Sequence, residues 1–297
     1  MKKISFALVI LTVLAFVACN KDEDIVIDNP EPEVPETTLN YKVIEYLPAP
    51  GQYINEMSLG SQISSQEEAI EFAENRLANS LFVSLGSWGG YIIVKFDSPI
   101  KNTGGYDFMI GSNSFDTSNE PGIVWVMQDT NENGMPDDVW YELRGSHFGE
   151  EGYERNYWVK YSRPGAKEPT PWEDSNGETG VIDWLASYHS QDFYYPDWVK
   201  EDSYTLYGSR LPLQAYQNPT TGVWTNYPFE WGYVDNFGTD FLQKLNRNQF
   251  RISDAITEGN EPVDLPSIDF IKVQTAINGS AGWLGENSTE VTGFFTE

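Results

Sequence analysis

Residues 124 to 143 read VWVMQDTNENGMPDDVWYEL: an apolar run, a polar centre and a second apolar run. Counted from Asp129, oxygen-bearing side chains stand at positions 1, 3 and 5 (Asp129, Asn131, Asn133), glycine at 6 (Gly134) and Asp137 at 9. This spacing is that of the first nine residues of an EF-hand-like calcium loop, with Gly134 permitting the sharp turn and Met135 offering its carbonyl. Position 12 is Trp140 in place of the bidentate glutamate that closes an EF-hand. The flanks are rich in Val, Trp and Tyr, which favour strands over the two helices of an EF-hand. The stretch therefore predicts a β-hairpin whose loop binds a structural calcium ion, with Asp138 or a distant residue such as Glu120 completing the shell. An Asn/Asp-stabilised turn without an ion is the other reading. With three side-chain carboxylates at most, the expected affinity is modest, roughly 10⁻⁴ to 10⁻³ M.

Strand-like runs continue on both sides of this hairpin. LFVSLG, GYIIVKF, YDFMIG, YWVKYS, SYTLYGSRL, DFIKVQTA and STEVTGFF are short, β-rich and separated by Gly, Asn, Asp and Pro. The exception is SSQEEAIEFAENRLANS, where Ser65 and Glu68 fit a capping box and Ile70, Ala73 and Leu77 recur at helical spacing. The pattern predicts an all-β domain, a jelly-roll-like antiparallel β-sandwich with one N-terminal helix and long loops, over residues 39–297.

Ahead of this domain, residues 1–18 carry two lysines and an apolar stretch, a signal peptide too short for a comfortable membrane span. Cys19, the one cysteine, follows Ala18 as in a bacterial lipobox and is the expected lipidation site. A plain secretory signal with an incidental cysteine is the alternative. Residues 19–38 are acidic and Pro/Glu-rich, a tether that cannot build a core. With Cys19 lipidated no disulfide can form, so an exported domain depends on burial, hydrogen bonds and bound cations.

Without Lys2 and Lys3 the 18 basic residues fall to 16 against 45 acidic ones, a formal charge of −29. That charge repels phosphate backbones and excludes nucleic acid as a partner. It leaves the lipid as the route to a membrane. The segment from Pro164 to Trp198 is long, rich in turn residues and studded with rings. Trp172, Trp184, His189, Tyr194 and Trp198 are its candidate ligand-binding residues, since long loops on a β scaffold are where binding sites are built. Core rings of short strands crossing the sandwich are the other reading of the same residues.

APGQYINE (49–56), SLGSWGGYIIVKFD (84–97), GGYDFMIGSNSF (104–115), EPGIVWVMQDTNENGMPDDVWYELRGS (120–146), EWGYVDN (230–236), IDFIKVQTA (268–276) and GWLGENSTEVTG (282–293) resemble a family of Bacteroidota cell-surface lipoproteins, some with PKD-like repeats attached. The resemblance implies a β-sandwich, anchoring on the outer membrane facing the outside, and association with TonB-dependent nutrient uptake, in some cases of corrinoids. It brings no catalytic residues, and this chain carries no PKD-like extension. The expected function is a non-catalytic accessory binder that captures a small-molecule nutrient, glycan or corrinoid, beside a TonB-dependent transporter or a neighbouring lipoprotein. Anchoring at the periplasmic face is the alternative location. A glycoside hydrolase using a carboxylate pair such as Glu230 with Asp235, or Glu151 with Glu154, stands as an alternative, and so does an adhesive partner-binding module. No H-E-x-x-H, G-x-S-x-G, P-loop or G-x-G-x-x-G motif is present.

Overall fold

The strand Gly122–Met127 is buried almost throughout, because both faces of the sheet it lies in are covered. Val124 and Val126 enter the main core, while Ile123 and Met127, one residue out of phase, pack into two smaller clusters on the opposite face. A period of two with both faces apolar reads as a continuous hydrophobic run, which is how IVWVM appears in the sequence.

The structure is a computed structural model that describes residues 39–60 and 62–296, so the signal segment, Cys19 and the tether lie outside the described residues. The described residues belong to one compact unit, Thr37–Glu297. Gly122–Met127 is the fourth strand of a six-stranded sheet in the order Tyr41–Leu47, Tyr91–Lys101, Ser267–Thr275, Gly122–Met127, Trp140–Leu143, Ala255–Ile256. Every neighbouring pair is antiparallel, and Met127 lies opposite Trp140 at the mouth of the quoted hairpin.

Two four-stranded antiparallel sheets contribute to the same core: Ser203–Arg210, Glu154–Ser162, Thr170–Asp174, Thr179–Ile182, and Phe241–Leu242, Arg247–Phe250, Phe108–Gly111, Gly293–Thr296. The architecture is an all-β, sandwich-like fold with one α-helix among the described residues.

Trp88 joins two of the layers. It is fully buried, its indole N–H donates to the Ser209 carbonyl (3.2 Å), its own carbonyl accepts from the Tyr161 hydroxyl (2.8 Å), and its ring meets Tyr157 edge-on at 4.7 Å. Gly86 allows the chain before Trp88 to touch the Ala49 backbone. Its φ is +69°, and a Cβ there would sit 2.0 Å from the Ala49 carbonyl oxygen.

The helix spans Gln66–Ala78 and buries Ala69, Ala73 and Leu77, with Ile70 at the margin of the core. Ser65 is its N-cap and accepts from the Glu68 N–H (3.2 Å). The Glu68 carboxylate reaches back to the N–H and hydroxyl of Ser64 instead of Ser65, a capping box shifted by one residue.

Pro164–Trp198 departs from a long unstructured loop: it contributes the strands Thr170–Asp174 and Thr179–Ile182. The turn residues Ser175, Asn176 and Gly177 between them tie the two into a hairpin through the Asp174 carboxylate, which accepts from the N–H groups of Asn176 and Glu178.

Candidate functional site

The hairpin loop gathers Asp129, Asn131, Asn133 and Asp137 into one network. The amides of Asn131 and Asn133 both donate to the Asp137 carboxylate, at 3.2 Å and 3.0 Å. Asp129 accepts from the N–H groups of Asn133 (3.1 Å) and Gly134 (2.9 Å), and Gly134 takes φ +76° to make this possible. The Lys95 ammonium lies 3.3 Å from the same carboxylate. Desolvation raises the Asp129 carboxyl, but the Gly134 N–H and Lys95 outweigh it and hold the group below its ordinary range.

Asp138 is turned away from this network and accepts from the backbone and hydroxyl of Thr130. The Met135 side chain is exposed, and its N–H donates to the Asn133 side-chain oxygen (2.7 Å). Asp269, on a neighbouring strand, fixes the loop's entrance by accepting from the Asp129 N–H (2.8 Å). The donor set is all-oxygen, as a hard cation requires. Lys95 holds the counter-charge position that such an ion would take over.

The five rings of the aromatic segment do not share one open face. Tyr194 and Trp198 are buried. The Tyr194 hydroxyl donates to the His189 carbonyl and accepts from the Leu185 N–H, both at 3.0 Å, and Trp198 packs 6.2 Å from Tyr46. Burying such rings offsets the entropy lost in ordering a long segment, which corrects their assignment as ligand contacts. Trp184 is half-buried against the core and donates to the Gln191 carbonyl (3.0 Å). His189 lies edge-on to Tyr53 at 4.9 Å, with its Nδ1 3.1 Å from Glu56.

Trp172 differs from the other four. Its ring lies across Gly180, where a Cβ would come within 2.4 Å of it, and it lines a cavity of about 120 Å³ together with Asp183, Asn278, Ser280 and Glu286.

A third group of residues was not legible as a site. Glu120, Asp235 and Glu290 each bring a carboxylate oxygen within 4.8 Å of the others. Backbone pairing puts them there. The Glu120 N–H donates to the Asp235 carbonyl (3.0 Å), Gly122 and Val234 bridge beside it, and Glu290 lies in a short strand opposite Ser84. Asp235 and Glu290 are buried and Glu120 partly so.

Desolvation pushes the Glu120 carboxyl up to about 7 against the Ser288 N–H, which favours its charged form. Burial, and then the neighbouring carboxylates, drive Asp235 and Glu290 well above their ordinary range. Two like charges about 4 Å apart repel by ~4 kcal/mol at an effective dielectric of 20. Among the described residues no lysine, arginine or histidine forms an ion pair with any of the three.

Glu120 thus belongs to this cluster and does not complete the hairpin's shell. Asp235 likewise lies with Glu120 and Glu290, and it is buried whereas Glu230 is exposed. Comparison with known protein-family profiles finds no match to this chain, and comparison with characterised protein sequences finds none either.

Proposed function

We propose that this protein is a non-catalytic, calcium-stabilised carbohydrate-binding module, displayed on the outer surface of an outer membrane by lipidated Cys19 and serving nutrient capture beside a TonB-dependent transporter. The observation that carries the reading is the Trp172 cavity. The Trp172 ring, packed over Gly180, lines this cavity together with the polar residues Asp183, Asn278, Ser280 and Glu286. One ring to stack on and several hydrogen-bonding groups at its edge are the requirements of a single sugar unit.

Its volume of about 120 Å³ favours the glycan over the corrinoid, because pockets for larger ligands run to about 300–1,000 Å³. His189, the residue best suited to a cobalt, is engaged with Glu56 and Tyr53. The gathered oxygens of Asp129, Asn131, Asn133 and Asp137 support calcium at the hairpin, and the resemblance to Bacteroidota surface lipoproteins supports the location.

Calorimetric titration with neutral oligosaccharides tests the binding role. Trp172→Ala should weaken the best ligand about tenfold or more, the loss of one stacking contact worth ~1–2 kcal/mol, in a chain whose circular dichroism shows it still folded. A chain that binds no glycan, or a Trp172→Ala variant that binds as well as the parent, contradicts the reading.

A further inference from the structure

We infer that Glu120, Asp235 and Glu290, with the side-chain oxygen of Asn287, form a second and buried centre for a hard divalent cation, calcium by the chemistry of its donors. It is separate from the hairpin and does not rest on the glycan reading.

The first observation is the convergence of three carboxylates from three segments of chain, with no basic side chain paired to them. The second is independent of the carboxylates. Asn287 is 1% exposed, its amide nitrogen lies 3.4 Å from Glu120, and its side-chain oxygen has no hydrogen-bond partner. One oxygen of Glu290 is orphaned in the same way. Buried polar atoms are almost always satisfied, so unpartnered acceptors on residues at this cluster call for a partner that carries positive charge and accepts oxygen ligands.

The opposite oxygens are already committed, which fixes the carboxylates in place. The second oxygen of Asp235 accepts from the Glu290 N–H (2.9 Å), that of Glu290 from the Asn113 amide (3.1 Å), and Glu120 from the Ser288 N–H (3.2 Å). Asp235 takes φ +56°, a conformation an aspartate tolerates where a β-branched residue would not. Calcium fits the set better than magnesium. It binds six to eight oxygens at about 2.3–2.6 Å in a flexible shell, so its opposed ligands stand about 4.6–5.2 Å apart, and it accepts several carboxylates from the protein itself. Magnesium keeps most of its waters and seldom occupies such a cage.

The test is calcium stoichiometry by equilibrium dialysis and elemental analysis, paired with thermal unfolding in calcium and in EDTA. Asp129→Ala silences the hairpin, and that variant should still bind one calcium per chain and still melt at a higher temperature in calcium than in EDTA. Adding Asp235→Asn should abolish both. Should that double variant fail to fold, Glu120→Gln at the partly buried edge replaces Asp235→Asn, and should weaken calcium about tenfold or more with an unchanged circular dichroism spectrum. An Asp129→Ala chain that is folded but binds no calcium overturns the proposal. So does an Asp235→Asn substitution that raises the melting temperature in EDTA and leaves calcium binding intact, since protons alone would then be neutralising the cluster.

Discussion

The hairpin loop and the buried carboxylate cluster are both collections of oxygen atoms on one β frame, and they differ in what those oxygens do. In the loop, Asp129 accepts from two backbone N–H groups and Lys95, and Asp137 accepts from two amides. In the cluster, Glu290 and Asn287 each keep an acceptor with no hydrogen-bond partner. A loop near water can shed an ion and close on itself, because nearby N–H groups and a lysine take over the charge. A cluster behind a layer of protein has no such reserve. Its carboxylates stay charged with a cation or take up protons without one, so the buried set makes the stronger claim on a metal although the exposed one has the better-known spacing.

Backbone substitutions give the largest expected separation between the two regions. Gly86→Ala would set a Cβ against the Ala49 carbonyl in a left-handed conformation, and Gly86 also donates to Ser288 in the segment that carries Asn287 and Glu290. We expect more than ~3 kcal/mol of destabilisation and loss of soluble protein, read by urea unfolding. An Asp240→Asn comparison sharpens the contrast at intermediate size. Asp240 is buried like Asp235, but both of its oxygens are partnered, by the N–H of Gly232 (2.8 Å) and the amide of Asn248 (3.4 Å).

Burial raises the Asp240 carboxyl to about 6 against those bonds and Arg251. The folded chain therefore holds a proton that the unfolded chain gives up at about pH 3.9. This contribution is complete below about pH 4 and is lost as pH rises through 6, at most ~3 kcal/mol. Asp240→Asn should flatten the stability profile over that window, and an unchanged slope would show that Asp240 titrates normally. The smallest effect belongs to the loop. Gly134→Ala at φ +76° meets only the mobile end of Lys95 and should cost ~1 kcal/mol, with the cluster's calcium unaffected.

What the sequence discloses follows the range of the interactions. The hairpin was legible because its determinants lie within 20 consecutive residues, 124–143, and act through turn geometry and alternation. The helix was legible for the same reason, down to Ser65 as its cap. The cluster was not, since Glu120, Asp235 and Glu290 are ordinary acids among 45 and meet only after the Gly122–Val234 and Glu290–Ser84 pairings form. The one trace of them is that each stands beside a turn residue or a bend, in EPG, VDN and NSTE.

The aromatic segment misled for a physical reason. Tyr194 and Trp198 are as able to fill a core as to face a ligand, and composition does not separate the two. Trp172 kept its open edge because the strand Thr170–Asp174 turns it across a glycine, a pairing of Trp172 with Gly180 that only the hairpin register reveals.

Diffraction from crystals grown with calcium, with anomalous differences recorded at long wavelength, tests the buried centre most directly. The account predicts a peak among Glu120, Asp235, Glu290 and the Asn287 side-chain oxygen, with ligand distances of about 2.3–2.6 Å. A peak-free site, in which the three carboxylates close on one another through shared protons, would contradict it.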